Sequence, residues 1–277
     1  MSLLNEALTM AVRTDPGRLR ANNEDAVFCD AGLGLAILAD GMGGYNAGEV
    51  ASGMATTLLA ESLRRAIGEV GSQTTDEIAA RSIHLQLREL IDEANTEIYF
   101  AGQTDFRYFG MGTTLVVAWF YDNCLTVGHI GDSRLYRLRS GCLESLTRDH
   151  SLLQERLDSG MITPAQARAF HSRNLVTRAL GVEPGVKPEL QDFEVLAGDI
   201  FLLCSDGLSD MVDDGDIAKT LREVGDDPAA AADRLVEMAN DNGGRDNVSV
   251  IVVKVHGEFP AASGKWQKLL SRFGQDR

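Results

Sequence analysis

The chain has no surplus of positive charge: 26 Lys and Arg stand against 41 Asp and Glu in 277 residues, a net charge of −15. Phosphate backbones demand a basic face, so general nucleic-acid binding is excluded and a metal-dependent nuclease is remote. No apolar run approaches the roughly 18 residues that a membrane helix needs. Met1–Val12 carries Glu6 and lacks a basic region followed by an apolar core, so it does not read as a signal peptide. Cys29, Cys124, Cys142 and Cys204 are far apart, without any C-x-x-C pair. That spacing suggests neither a zinc knuckle nor a disulfide framework, and the expectation is buried free thiols in a reducing cytoplasm. His84, His129, His150, His171 and His256 show no paired ligand spacing, which removes the usual zinc patterns. No G-x-S-x-G elbow is present, and Ser205 has no nearby His in the sequence. Internal repeats and low-complexity tracts are also missing.

What remains is an ordinary globular composition, 44% hydrophobic and 24% charged, long enough to bury a substantial core. Strand-like runs read Leu8–Arg13, Ala26–Cys29, Leu33–Ala39, Thr113–Tyr121, Cys124–Ile130, Leu135–Arg139, Gly198–Cys204 and Val248–His256. The links Asp122-Asn123 and Ser140-Gly141 are too short for parallel crossovers and predict antiparallel hairpins. Apolar residues at helical spacing predict helices over Ala47–Gly68 and Asp76–Gly102, with shorter ones at Ser151–Ser159, Pro164–Phe170, Gly215–Glu223 and Pro228–Asn240. The order of elements suggests an α+β fold, antiparallel sheets packed together with helices outside. After the connector Gly257–Ser263, Trp266, Leu269, Leu270 and Phe273 form one face of a short basic amphipathic helix.

The sharpest signal is where the acidic residues fall. Leu35–Ala39 runs into Asp40-Gly41, Leu125–Ile130 into Gly131-Asp132, Ile200–Cys204 into Ser205-Asp206-Gly207, and Asp246-Asn247 precedes Val248–Val255. A single Asp-Gly at a strand end is more often a turn than a ligand. Four of them at sheet ends could crowd one cleft, where carboxylates repel unless a cation neutralises them. All-oxygen donors select Mg²⁺ or Mn²⁺ over zinc. Arg20, ahead of Glu24 and Asp25, offers a planar fork suited to phosphate oxygens.

In order, Arg20–Asp25, Asp40-Gly-Met-Gly-Gly44, Gly48-Glu49, Met111–Thr114, Gly131–Arg134, Asp149–Ser151, Arg173-Asn174, Thr177–Gly181, Ser205–Leu208 and Asp246-Asn247 span nearly the whole chain. The set resembles the bacterial serine/threonine form of the metal-dependent protein phosphatase 2C (PP2C, PPM) family. The resemblance implies a four-layer αββα sandwich, two antiparallel sheets face to face with a helix pair on each outer side. It implies a phosphatase domain over residues 1–257, with a flap at about 149–181 beside the active site, and a tail over 258–277. It also assigns roles. Asp40 bridges two metals, the Gly41 carbonyl binds the second, and Asp206 and Asp246 complete the first. Glu24 acts on the second metal through water, and Asp132, Asp206 and Asp210 hold a third ion. Arg20 grips the phosphate, while Asp25 and Asn247 support the ligands. Two core Mn²⁺ or Mg²⁺ ions would share a hydroxide that attacks phosphoserine or phosphothreonine phosphorus directly, without a phosphoenzyme.

Two positions depart from the family pattern. Met42 stands where eukaryotic members often carry a His, and Tyr45 where many bacterial members do, so the general acid is unassigned. His171 in the flap is a candidate for approaching the cleft, although an exposed surface His is the plainer reading. The alternatives to catalysis on phosphoproteins are a silent metal- and phosphoprotein-binding sensor, against which Asp40, Asp206 and Asp246 argue, and a regulator-type phosphatase of anti-sigma antagonists, against which Arg20 argues. The substrates would be those of a Ser/Thr kinase, the tail is a docking helix or a frayed end, and a monomer is the default.

Overall fold

Strands with two buried faces build the centre of the molecule. The computed structural model describes residues 3–44, 47–70, 83–167 and 175–260. One sheet contains β1 (Leu8–Asp15), β7 (Arg134–Arg139), β8 (Cys142–Ser145), β10 (Ile200–Cys204) and β11 (Val248–Val255), in the order β1-β11-β10-β7-β8. The other orders β2 (Asp25–Asp30), β3 (Leu35–Met42), β5 (Leu115–Tyr121), β6 (Cys124–Ile130) and β9 (Glu189–Glu194) as β2-β3-β5-β6-β9, with the short β4 (Gly112–Thr113) on β3. The strand pairings within both sheets are antiparallel. The sheets face one another, which makes the α+β sandwich expected above.

Side-chain alternation sorts each apolar run between two cores. In β5, Val116, Ala118 and Phe120 point toward the opposite sheet, and Leu115, Val117, Trp119 and Tyr121 toward helices α2 (Ala47–Val70) and α3 (Ile83–Thr104). In β11, Ile251, Val253 and Val255 enter the same inter-sheet core, and Val248, Val250 and Val252 pack under α7 (Asp214–Val224) and α8 (Pro228–Asp241). Burial on both faces explains why these strands read as continuous Val, Ile and Leu rather than as apolar–polar alternation. Phe120 and Phe201 meet edge to face across the sheets at 5.3 Å.

The expected hairpins occur. Asp122 and Asn123 (φ 45° and 57°) join β5 to β6, and Ser140 and Gly141 (φ 51° and 80°) join β7 to β8. Positive φ at both central residues gives the turn the twist that its strands require. Beside the first hairpin, Phe259 N–H donates to Asn123 Oδ1 (2.7 Å), and His256 N–H donates to Ala7 O (2.7 Å) at the root of β1.

Several expectations need correction. β3 does not end before Asp40: Gly41 and Met42 pair with Thr113 and Gly112, so Asp40 lies inside the strand. β8 and β9 carry no sustained apolar run, because edge strands bury little; β8 is signalled only by the Ser140-Gly141 link, and the sequence pattern does not predict β9. The short helices α1 (Leu3–Ala7) and α6 (Asp206–Ser209) were likewise unforeseen, whereas α4 (Leu152–Asp158) and α5 (Pro164–Ala167) fall within predicted segments. The thiols are free, but only Cys204 is fully buried; Cys29 and Cys124 are half-buried and Cys142 is exposed at the β8 edge. Tyr45, His171 and the amphipathic stretch of the tail lie outside the described residues.

Phe201→Ala removes a large side chain from the inter-sheet core. A loss of about 3–5 kcal/mol in unfolding free energy is expected, read by urea denaturation.

Candidate active site

The β2–β3 register places Asp25 directly opposite Asp40. Thr114 holds Asp40 in place: Asp40 N–H donates to Thr114 Oγ1 (3.0 Å), and Thr114 N–H returns a bond to Asp40 O (2.8 Å). Gly41 N–H donates to Glu24 O (3.1 Å). A Cβ on Gly41 would lie 2.1 Å from Gly48 O, so only glycine allows the start of α2 to come this close. Asn247 ties the opposite wall together. Its Oδ1 accepts from Glu24 N–H (2.9 Å), and its amide donates to Pro16 O (3.1 Å) and Asn22 O (2.9 Å). Ser205 Oγ donates to Asp25 Oδ2 (2.9 Å) and accepts from Ser249 N–H (3.0 Å).

These ties bring eight residues foreseen from the sequence, Arg20, Glu24, Asp40, Gly41, Asp132, Asp206, Asp246 and Asn247, to one cleft of about 430 Å³. Asp210, one turn beyond Asp206 at the exposed end of α6, stays outside the lining. Asp25 sits behind Asp40. Arg20 pairs with Asp246 at 2.7 Å. Met42 is in the wall and offers no titratable proton. Thr114, Leu175 and Val176 were not singled out from the sequence; the family-like Met111–Thr114 segment was the one available signal for Thr114.

The electrostatics are those of a cation site. Burial first, then Asp25, Asp206, Asp132 and Asp246, push the Asp40 carboxyl well above the usual range. Burial, with Asp132 and Asp210 beside it, does the same to Asp206. Asp25 and Asp132 are each raised to about 6, chiefly by burial. Glu24 is raised by burial too. Asp25 Oδ1 is buried without a hydrogen-bond partner. Crowded oxygen donors, carboxyls lifted by one another and an orphaned buried oxygen together fit hard divalent ions.

The family description "Protein phosphatase 2C" matches residues 18–242. The chain belongs to the protein phosphatase 2C family. It is 42% identical over 258 residues to the serine/threonine protein phosphatase PstP of Mycobacterium tuberculosis, covering 92% of this chain and 46% of that protein. The chain thus spans about half the length of that relative. The serine/threonine phosphatase stp of Listeria monocytogenes is 38% identical over 245 residues, covering 87% of this chain and 94% of stp. The crystal structure of the PstP catalytic domain in complex with two manganese ions superposes with a TM-score of 0.76 at 40% identity, covering 90% of this chain and 99% of that one. Phosphatase 2C architecture therefore extends over the whole sandwich.

Raised carboxyls have a thermodynamic consequence. Each folded-state pKa lies above the unfolded value, so its stabilising contribution is complete below about pH 4 and is lost as pH rises through the folded pKa, about 6 for Asp25 and Asp132. In EDTA, the Tm is expected to fall between about pH 5 and pH 8, and saturating Mn²⁺ to raise it more at the higher pH. An equal Mn²⁺ shift at both pH values would contradict the crowding account.

Proposed function

We propose that the chain is a metal-dependent phosphatase that hydrolyses phosphoserine and phosphothreonine in proteins. The observation that carries this reading is the convergence of Arg20 and the acidic set on one cleft. Asp40, the Gly41 carbonyl, Asp206 and Asp246 would hold two core Mn²⁺ or Mg²⁺ ions, with Glu24 reaching one of them through water. Asp132 and Asp210 would hold a third with Asp206. When bound, such ions neutralise the carboxylates and activate water toward the phosphorus.

The chain's own residues do the rest. Arg20 presents its guanidinium to the phosphate, exchanging its present carboxylate partner Asp246 for phosphate oxygens and opposing the charge of the transition state. Asp25 and Asn247 keep Asp40 and Glu24 oriented through the cross-strand pairing and the Asn247–Glu24 bond. Thr114 fixes the Asp40 main chain on the cleft floor. Met42 carries no proton for the leaving alkoxide, so water or another side chain supplies it. Leu175 and Val176, in the proposed flap over 149–181, bound the cleft where the peptide around the phosphoresidue would lie.

The phosphatase domain is assigned to residues 1–257, and the basic tail over 258–277 to docking a protein partner. Among the described residues no helix is long and apolar enough to cross a membrane. A cytoplasmic site of action, on substrates of a Ser/Thr kinase, is part of the same proposal, supported by the free thiols.

Hydrolysis of a phosphothreonine peptide and of 4-nitrophenyl phosphate with Mn²⁺, Mg²⁺ or EDTA tests the reading. Turnover should require metal and vanish in Asp206→Ala. Arg20→Ala loses charge-assisted hydrogen bonds worth about 1.5–3 kcal/mol, an expected drop of about 10–150-fold in kcat/KM. Folded wild-type protein that turns over neither substrate in either metal would overturn the proposal.

A further inference from the structure

Behind the cleft, the structure gathers three residues that the sequence keeps far apart. His129 and His150 are buried, 2% and 6% exposed, and their ring centroids lie 4.8 Å apart. Glu189, register partner of His129 on β9, completes the group. His150 grips Gly131 twice: its Nδ1 accepts from Gly131 N–H (3.1 Å), and its own N–H donates to Gly131 O (2.7 Å). Gly131 has φ 104°, and a Cβ there would meet the Thr114 side chain at 2.7 Å, so this turn has little room to relax. The next residue is Asp132, and the one after it, Ser133, bonds Thr114 at 2.7 Å.

The other ring nitrogen settles the chemistry of the group. A neutral imidazole has one N–H and one acceptor. With Nδ1 accepting, the proton belongs on Nε2, which faces Glu189 Oε1 at 3.3 Å. Arg178 Nη1, itself only a donor, lies 3.4 Å from Nε2 without bonding it in this tautomer, and stands 4.0 Å from the Glu189 carboxylate, whose charge it balances. The same logic disfavours a metal among these three residues. An ion on Nε2 would move the proton to Nδ1, where it would confront the Gly131 N–H, donor against donor. The His129 ring lies against that of His150, tilted by 32°.

His150 also marks the root of the segment beside the cleft. Thr177 N–H donates to His150 O (2.8 Å), and Leu152 N–H to Leu175 O (2.9 Å). Arg134 anchors the preceding residue, Asp149, through two bonds of 2.8 and 2.7 Å. His150 thus joins the edge strand β9 and the turn that presents Asp132 through its ring, and the entry to the flap through its main chain.

We propose that His150, with its tautomer held by Glu189, is a positioning residue that sets the Gly131–Asp132 turn, so that ion binding at Asp132 depends on a hydrogen bond from the sheet edge. The proposal rests on Asp132 as a metal ligand. Its test is Mn²⁺ binding by calorimetry, together with thermal unfolding. His150→Leu removes the acceptor and is expected to weaken the Asp132-dependent binding step by about 10–100-fold, the usual effect of losing a partner that orients a ligand. His150→Asn, whose Oδ1 can replace Nδ1, should restore binding to within about threefold of wild type by the same reasoning.

Glu189→Leu, at a partly exposed edge position that tolerates exchange, should weaken the same step, and Glu189→Gln, which still accepts from Nε2, should not. In an Asp132→Asn background, His150→Leu should change Mn²⁺ binding no further, which a merely structural role would not produce. Equal binding losses in His150→Leu and His150→Asn, or wild-type binding in Glu189→Leu, would overturn the proposal. So would tight Zn²⁺ binding that survives Asp40→Asn and is lost in His129→Ala. Calorimetry needs no turnover, so an inactive wild type would count against the phosphatase reading and not against this one.

Discussion

Asp25 and Asp40 face each other across two paired strands, with Asp206, Asp132 and Asp246 close enough to raise the Asp40 carboxyl further. Like charges at about 4 Å repel by about 4 kcal/mol at an effective dielectric near 20. A fold of ordinary stability, about 5–15 kcal/mol, cannot carry several such pairs ionised. The metal-free protein must therefore hold protons or take up cations, and the surrounding architecture makes the arrangement survivable. The central strands of both sheets are buried on both faces, Asp40 sits on one of them, and the edge strand, loops and short helix that carry the other acids are tied in by Asn247, Ser205 and Thr114. Rigidity keeps the carboxylates together despite their repulsion, and the repulsion is what makes the cleft bind cations.

The same architecture explains why catalytic and structural roles are hard to separate here. Ser205 closes one end of β10, bonds Asp25 and accepts from Ser249 of β11. Asn247 immediately precedes β11 and holds the Glu24 main chain. Asp40 is a residue of β3 whose carbonyl and amide both meet Thr114 or its neighbour Thr113. Asp25 and Asp40 are thus set by sheet register, and register in a doubly buried strand such as β3 is strongly specified, because a slip of one residue would exchange its two faces.

Much of the centre was legible in the amino-acid sequence. β3, β5, β10 and β11 announce themselves because burial on both faces leaves little but Val, Ile, Leu and Phe. Asp40, Asp132, Asp206 and Asp246 are conspicuous because a charge beside such a run has a large desolvation cost and needs a reason. β9 was hidden: Glu189-Leu-Gln-Asp-Phe-Glu194 packs on β6 along one edge and stays wet on its other side, so its pattern is that of a loop. The continuation of β3 through Asp40-Gly41 was hidden as well, because it depends on pairing with Gly112-Thr113, some seventy residues away. The His129, His150 and Glu189 group had no local signature, since only the β6–β9 register and the return of the chain after β8 bring it together.

The hairpin at Asp122-Asn123 and the root of β1 lie at the pole of the sandwich away from the acids. Strands of seven or eight residues at about 3.3 Å per residue separate the two poles by about 25 Å. Ala7 and Phe259 are both fastened at that remote pole, through His256 and Asn123. Anything joined to the sandwich at either side, whether a leash, a fusion partner or an anchoring module, therefore leaves from the back. The acidic cleft then faces outward into the space the tether sweeps, and a crowded attachment point does not screen it from large ligands.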